Sequence, residues 1–197
     1  PPAPPPETPP PADDKRKAVL VALAKGELTC WIVVDSAAAV AHLDPLLDGF
    51  TGKKFRFAVQ GGADLHLVGA LLAKRKIPAI VPTALATVPM STLLDNPAAT
   101  LARAGVELAF LPPNDDVNGF EAWRDALAQL VRAGLPRDVA LRGCTSVPAT
   151  LLGVDKLLGA IEVGREANLV VCTGDPFEAT TRIRRVILRG ETVHDEP

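Results

Sequence analysis

Residues 140–194 read ALRGCTSVPATLLGVDKLLGAIEVGREANLVVCTGDPFEATTRIRRVILRGETVH, and their order of residue types constrains the rest of the chain. Thr145 or Ser146 can cap a helix by accepting from its orphan amide hydrogens, and Pro148 falls in the first turn, where its missing N–H costs nothing. Gly153 supplies the stop. The period then changes. Residues 161–166 (IEVGRE) read as a strand end and a turn, and residues 168–173 (NLVVCT) as a short apolar strand of the kind buried on both faces. Gly174-Asp175-Pro176 breaks that strand. A second long strand is predicted over residues 182–189, and Gly190-Glu191 turns it into a last short one ending near His194.

The landmarks in this stretch come in a recognisable order: Ala140-Leu141, Thr145, Pro148-Ala149, Leu152-Gly153, Gly159-Ala160-Ile161-Glu162-Val163-Gly164, Ala167-Asn168-Leu169-Val170-Val171, Gly174-Asp175-Pro176 and Val186-Ile187-Leu188-Arg189-Gly190. The segment resembles the C-terminal signature of the amidohydrolase superfamily, in the branch of imidazolonepropionase-like and dipeptidase-like proteins. Asn168 departs from the pattern, standing where that family usually has Asp.

A chain of 197 residues, 48% of them hydrophobic, can bury a sizeable core. A net charge of -2, only 4% aromatic residues and no Tyr argue against a nucleic-acid surface, which needs basic patches and stacking platforms. Cys30, Cys144 and Cys172 have no short metal-ligand spacing and read as small buried hydrophobes of a reduced protein. Cys144 lacks a nearby His to act as its base. No apolar run reaches membrane-spanning length, and no charged start leads into an apolar core, so a soluble chain is expected and a cytoplasmic one slightly favoured. The first residue is Pro rather than Met, so the native start is expected upstream.

Residues 1–12 are Pro-rich, a composition that favours solvated polyproline and cannot pack a core; they read as a linker or loop. Residues 13–25 follow as a short helix stopped by Gly26. Strands are then predicted at 30–34, 55–59, 77–81 and 106–111. Between them, Ser36 caps an Ala-rich helix that Pro45 breaks, residues 63–74 carry Leu65, Val68, Leu71 and Leu72 on one face, and Asn96-Pro97 opens a helix ended by Gly105. Residues 119–133 place Phe120, Trp123, Leu127, Leu130 and Val131 on one stripe opposite Glu121, Asp125, Gln129 and Arg132. Four strand-helix units with short connections predict a parallel sheet.

The fold class is therefore α/β: half of a (β/α)8 TIM-type barrel over residues 13–152, which as a whole takes about 250 residues. The resemblance implies that these are the last four barrel strands and that residues 153–197 supply strands of the small β-sandwich flanking the barrel. It also implies a partner, the N-terminal half of the barrel. A second copy of the chain would serve the same open parallel edge.

In the family, metal ligands sit at the C-terminal ends of barrel strands: a His-Xaa-His pair after the first, a His, Lys or Glu after the fourth, His after the fifth and sixth, and an Asp after the eighth. The metal, typically zinc, lowers the pKa of a bound water so that it attacks a C–N bond. The resemblance places the fifth-strand ligand at Val34-Asp35, the sixth at Gln60-Gly61-Gly62 and the eighth-strand Asp at Pro113. Asp35 is a candidate metal ligand or a helix cap, and Asp115 and Asp116 are candidate stand-ins for the catalytic Asp or turn and cap residues. Gln60, Gly61, Pro113 and Asn114 are the expected lining of the barrel mouth.

The remaining chemistry-bearing residues read as structural or surface groups. His42 lies mid-helix, His66 on a polar face open to solvent, and His194 on the last strand. Lys74-Arg75-Lys76 reads as an exposed helix end, Arg182, Arg184, Arg185 and Arg189 as charges guarding a sheet edge, and Trp31 and Trp123 as core residues. Three functions are consistent with these residues. One is a catalytically inert portion of an amidohydrolase-related protein, with no metal of its own. Another is an active metal hydrolase whose remaining ligands, and a divalent metal such as zinc, come with the other half. The last is a scaffold that docks a partner through its Pro-rich arm.

Overall fold

A computed structural model describes residues 15–34, 36–48, 56–62, 64–114 and 116–196. The Pro-rich residues 1–12, Asp35 and Asp115 lie outside the described residues. Helix α1 (Lys15–Ala24) ends at Gly26, whose φ of 72° suits a residue without Cβ. Strand β1 (Thr29–Val33), helix α2 (Ala37–Asp48) and strand β2 (Arg56–Gln60) follow. Next come a short 3-10 turn (Leu65–Val68), helix α3 (Gly69–Arg75) and strand β3 (Ala79–Pro82). A small antiparallel hairpin of β4 (Ala86–Thr87) and β5 (Leu94–Asp95) leads to helix α4 (Pro97–Arg103) and strand β6 (Leu108–Leu111). Helices α5 (Val117–Arg132), α6 (Arg137–Cys144) and α7 (Ser146–Leu152) precede the last strands, β7 (Leu169–Cys172), β8 (Ile183–Leu188) and β9 (Glu191–Asp195).

The four predicted strands form one parallel sheet in the order β1-β2-β3-β6. Because side chains alternate along a strand, the sheet has two distinct faces. Val59, Ala79, Val81, Leu108 and Phe110 join Leu65, Leu72, Leu101, Leu127 and Leu130 in the main core. Ala58, Ile80 and Ala109 form a second cluster with Val147 and Leu151 of α7. Helices therefore cover one face and α7 part of the other. The apolar stripes predicted for α3 and α5 are the buried ones: Leu65, Val68, Leu71 and Leu72, and Trp123, Leu127, Leu130 and Val131, all pack in the main core. The side chain of Phe120 lies outside the described residues.

Several expectations are corrected by tertiary contacts. Pro45 lies inside α2 instead of ending it. The Arg75 guanidinium reaches back to Asp44, with Nε 2.6 Å from Oδ1 and Nη2 3.3 Å from its carbonyl oxygen, and Leu47 is buried in the core, so the last turn is held from outside. For the same reason Arg75 is not an exposed helix end. Trp31 is 46% exposed because it lies in register with Ala58, on the face of the sheet away from the main core, which α7 covers only in part. All three cysteines are half-buried, where full burial was expected.

Helix α7 starts at Ser146 and stops at Gly153, but neither Thr145 nor Ser146 caps it. The Thr145 hydroxyl instead donates to the carbonyl of Leu141 at 2.7 Å, in the helix before. Residues 161–166 form no strand; Arg165 organises them as a turn, pairing with Glu162 and donating to the carbonyls of Leu158 and Asp155.

The last three strands form an antiparallel sheet in the order β7-β8-β9. Strand β7 is not buried on both faces: Val170 is 59% and Val171 44% exposed. Nor is β8 an edge; it is the central strand, and Arg185 there pairs with Asp195 of β9 through Nε and Nη2 at 3.1 and 2.9 Å. Runs of apolar residues bounded by turns cannot distinguish a doubly covered strand from a sheet whose covering layer comes from elsewhere.

Candidate functional site

Parallel strands end on one rim, and in α/β proteins that rim is where loops converge. Here the four strand ends are joined stepwise. The Val34 N–H donates to the Gln60 carbonyl at 2.9 Å, the Gly61 N–H to Ile80 at 3.3 Å, and the Thr83 hydroxyl to Leu111 at 2.9 Å. Thr83 is buried, so its hydroxyl is a structural staple and not a free donor to a ligand. Gly61 is closely approached: a Cβ there would lie 3.1 Å from Val34 Cγ2 and 3.2 Å from Leu65 Cδ2 and would press on both side chains. Gln60 and Gly61 are half-buried at this rim, whereas Pro113 and Asn114 are exposed beyond the end of β6.

Asp116 is exposed and is the N-cap of α5, its Oδ1 accepting from the Gly119 N–H at 2.7 Å. One oxygen is thus engaged by a helix start, the capping role that competed with catalysis in the sequence. Asp35, the candidate metal ligand, and Asp115, the other candidate stand-in for the catalytic Asp, lie outside the described residues.

Two rim residues escaped sequence reasoning. Asp64, four residues beyond β2, uses Oδ2 to accept from the Ala37 N–H at 2.8 Å, placing a carboxylate at the start of α2, where Ser36 Oγ also accepts from Ala39 at 3.3 Å. His66 is not a solvent-facing residue: it is half-buried, with Nε2 4.0 Å from Asp95 Oδ2 on the β4–β5 hairpin. Contacts across 27 and 29 positions leave no local signal; only the Gly61-Gly62 turn before them hinted that the chain doubles back.

The other His residues stay where the sequence put them, His42 exposed on α2 and His194 exposed on β9. Cys144 is a poor nucleophile: burial pushes its thiol pKa up, and its Sγ lies 3.2 Å from the Leu141 carbonyl.

The family's zinc chemistry calls for imidazole, thiolate or carboxylate donors converging on one point. Among the described residues the strand ends carry Val34, Gln60, Gly61, Thr83, Leu111, Pro113 and Asn114, none of them such a donor, and the nearby Asp64, His66 and Asp116 are turned to the Ala37 N–H, to Asp95 and to the Gly119 N–H instead of to one point. No group of three or more His, Cys, Asp or Glu among the described residues could hold a metal ion. The described donor set does not fit a zinc centre.

A four-stranded parallel sheet with its helices, followed by a separate antiparallel sheet, defines the class: part of an α/β barrel with a flanking β-structure. The match to the Amidohydrolase family spans residues 8–194, and the chain belongs to that family. Among solved structures it is similar to an amidohydrolase from Thermotoga maritima MSB8, at 24% identity and a TM-score of 0.77, over 94% of this chain and 48% of that one. It is also similar to a prolidase crystallised with N-methylphosphonate-L-proline, at 18% identity and a TM-score of 0.63, over 94% of this chain and 50% of that one. These likenesses establish the fold. The chain spans about half the length of the solved structures it matches. No curated protein matches it in sequence. No helix among the described residues is long and apolar enough to cross a membrane.

Proposed function

We propose that this chain is the C-terminal portion of an amidohydrolase-related protein and that it supplies framework or binding surface, not catalytic metal ligands. The observation that carries this is Pro113, at the position where the resemblance puts the Asp that orients the metal-bound water. Proline has no side-chain atom able to ligate or to accept a proton. Gln60 at the sixth-strand position and Asp116, engaged at a helix start, support the same reading. The partner it calls for is the other half of the barrel, against the β1 edge, where Trp31 and Val33 are 46% and 72% exposed. A second copy of this chain is the other candidate for that edge.

A second reading keeps the hydrolase active, with a divalent metal held by the other half and by Asp35 or Asp115. It is favoured by the presence of these two carboxylates next to strand ends. Metal analysis of the complete protein, combined with hydrolysis assays on dipeptides and cyclic amides, separates the two. The inert reading expects substoichiometric zinc and no turnover. Stoichiometric zinc with turnover that is lost on Asp35→Ala or Asp115→Ala overturns it.

A further inference from the structure

The antiparallel sheet has almost no core of its own. Of residues 153–196, only Phe177 and Thr181 are buried, at 6% and 5% exposure, and neither lies on a strand. Every residue of β9 is exposed, and the strands β7 and β8 carry none that is buried. Small sheets need an apolar face packed on something to hold together in water. Within this chain, the burial the segment does have is at the loop between β7 and β8.

That loop, residues 174–181, is closed at its neck. The Thr173 N–H donates to the Arg182 carbonyl at 2.9 Å, and the Arg182 N–H to Thr173 Oγ1 at 3.0 Å. Inside it, Glu178 N–H donates to Asp175 at 3.0 Å and Thr181 N–H to Glu178 at 3.1 Å, while Asp175 Oδ1 accepts from the Phe177 N–H at 3.0 Å. Short loops with apposed ends and internal bonds are compact units, not slack connections. Three anchors fix this one to the helices of the parallel sheet. Phe177 enters the main core, Asp175 pairs with Arg137 at the start of α6, and Arg124 Nη1 of α5 donates to the Thr181 carbonyl at 2.7 Å.

We infer that the Gly-Asp-Pro-Phe loop is a strap through which the half-barrel holds the three-stranded sheet in place, the order of β7, β8 and β9 depending on the strap more than on packing within the sheet. The Gly174-Asp175-Pro176 break thus does more than end a strand: it turns Phe177 into the barrel core and leaves the Asp175 carboxylate facing Arg137.

Hydrogen exchange on this chain, compared with Phe177→Ala and Arg124→Ala, tests the strap. The expected result is a rise in exchange of the β8 amides of about tenfold or more in both variants, with the β2 and β6 amides unchanged. Unchanged β8 exchange in both variants overturns the inference, because the sheet would then hold itself. Equal loss of protection in β6 and β8 in both variants also overturns it, because the loop would then be an ordinary part of one core. If Phe177→Ala alone fails to fold, Arg124→Ala, which removes the bond to the Thr181 carbonyl and a 3.4 Å pair with the neighbouring Asp125, decides.

Discussion

The carboxylate of Asp64 lies 2.8 Å from the backbone N–H of Ala37, so a residue after the second parallel strand closes the first turn of the helix that follows the first strand. The bond satisfies one of the orphan amides of α2 and places negative charge at its positive end. Asp64→Ala should cost about 1 kcal/mol of stability, and Asp64→Asn, which keeps the acceptor, less than half of that. Urea denaturation of the three proteins checks the order.

Asn96 is buried and fully engaged. Its Oδ1 caps α4 by accepting from Ala99 at 3.0 Å, and its Nδ2 donates to the carbonyls of Leu130 and Ala133 at 2.8 and 3.2 Å, at the end of α5. Asn96→Ala removes a cap and two hydrogen bonds to α5 carbonyls, of which that of Leu130 keeps the Leu135 N–H as donor, so a loss of about 2 kcal/mol is expected. Asn96→Asp should fail to rescue it, since a carboxylate cannot donate to those carbonyls; the denaturation midpoints measure both.

Gly143 lets α6 lie directly on β6. A Cβ at that position would collide with the ring of Phe110 and approach the Leu108 carbonyl to 2.9 Å, and the backbone half of that contact cannot rotate away. Gly143→Ala should therefore destabilise by about 1–3 kcal/mol, against the small gain usual for Gly→Ala in a helix. A lowered thermal midpoint is the expected reading.

Asp195 on β9 is held below the ordinary carboxylate pKa, first by its hydrogen bonds from Arg185 and then by the charges of Arg185, Arg184 and His194. A carboxyl whose folded pKa is depressed contributes stability that is present above its unfolded pKa and is lost as pH falls through the folded value. The β8–β9 pairing should weaken below the unperturbed value of 3.8 and be insensitive to pH between 5 and 8 on account of this pair. Both side chains are exposed to solvent, so the effect is small and screened by salt. NMR titration of Asp195, with Arg185→Gln as control, should show its pKa rising to the ordinary range in the variant.

Much of the parallel portion could be read from residues 29–134 because local signals agree with one another there. Asn96-Pro97 is a capped start with Pro first in the helix, Gly105 and Gly134 sit at φ of 85° and 97° where the helices end, and the stripes on α3 and α5 are those that reach the core. The β4–β5 hairpin was not legible: two-residue strands carry no alternation to detect. The candidate site was legible only as residue types. Pro113 and Gln60 can be read off the chain, but that Thr83 staples Leu111 or that Asp116 caps α5 depends on where the chain returns.

The antiparallel portion shows the opposite balance. Its strands, its turns and its family landmarks stand in the sequence, yet the expected burial of β7 and the edge position of β8 did not follow from them. An apolar run specifies that a strand can be covered; what covers it is set by the rest of the molecule.

By itself, then, the sequence determined the succession of strands and helices, the parallel order implied by their alternation, the family, and the residue types available at the strand ends. These depend on periodicity, backbone preference and side-chain chemistry, which are local. The tertiary structure alone decided that Asp64 serves α2, that Pro45 is tolerated within a helix, that His66 faces Asp95, and that Phe177 ties one sheet to the core of the other. Each of these joins residues distant in sequence, and such contacts arise only when the whole chain has found the packing in which its polar groups are paired and its apolar faces meet.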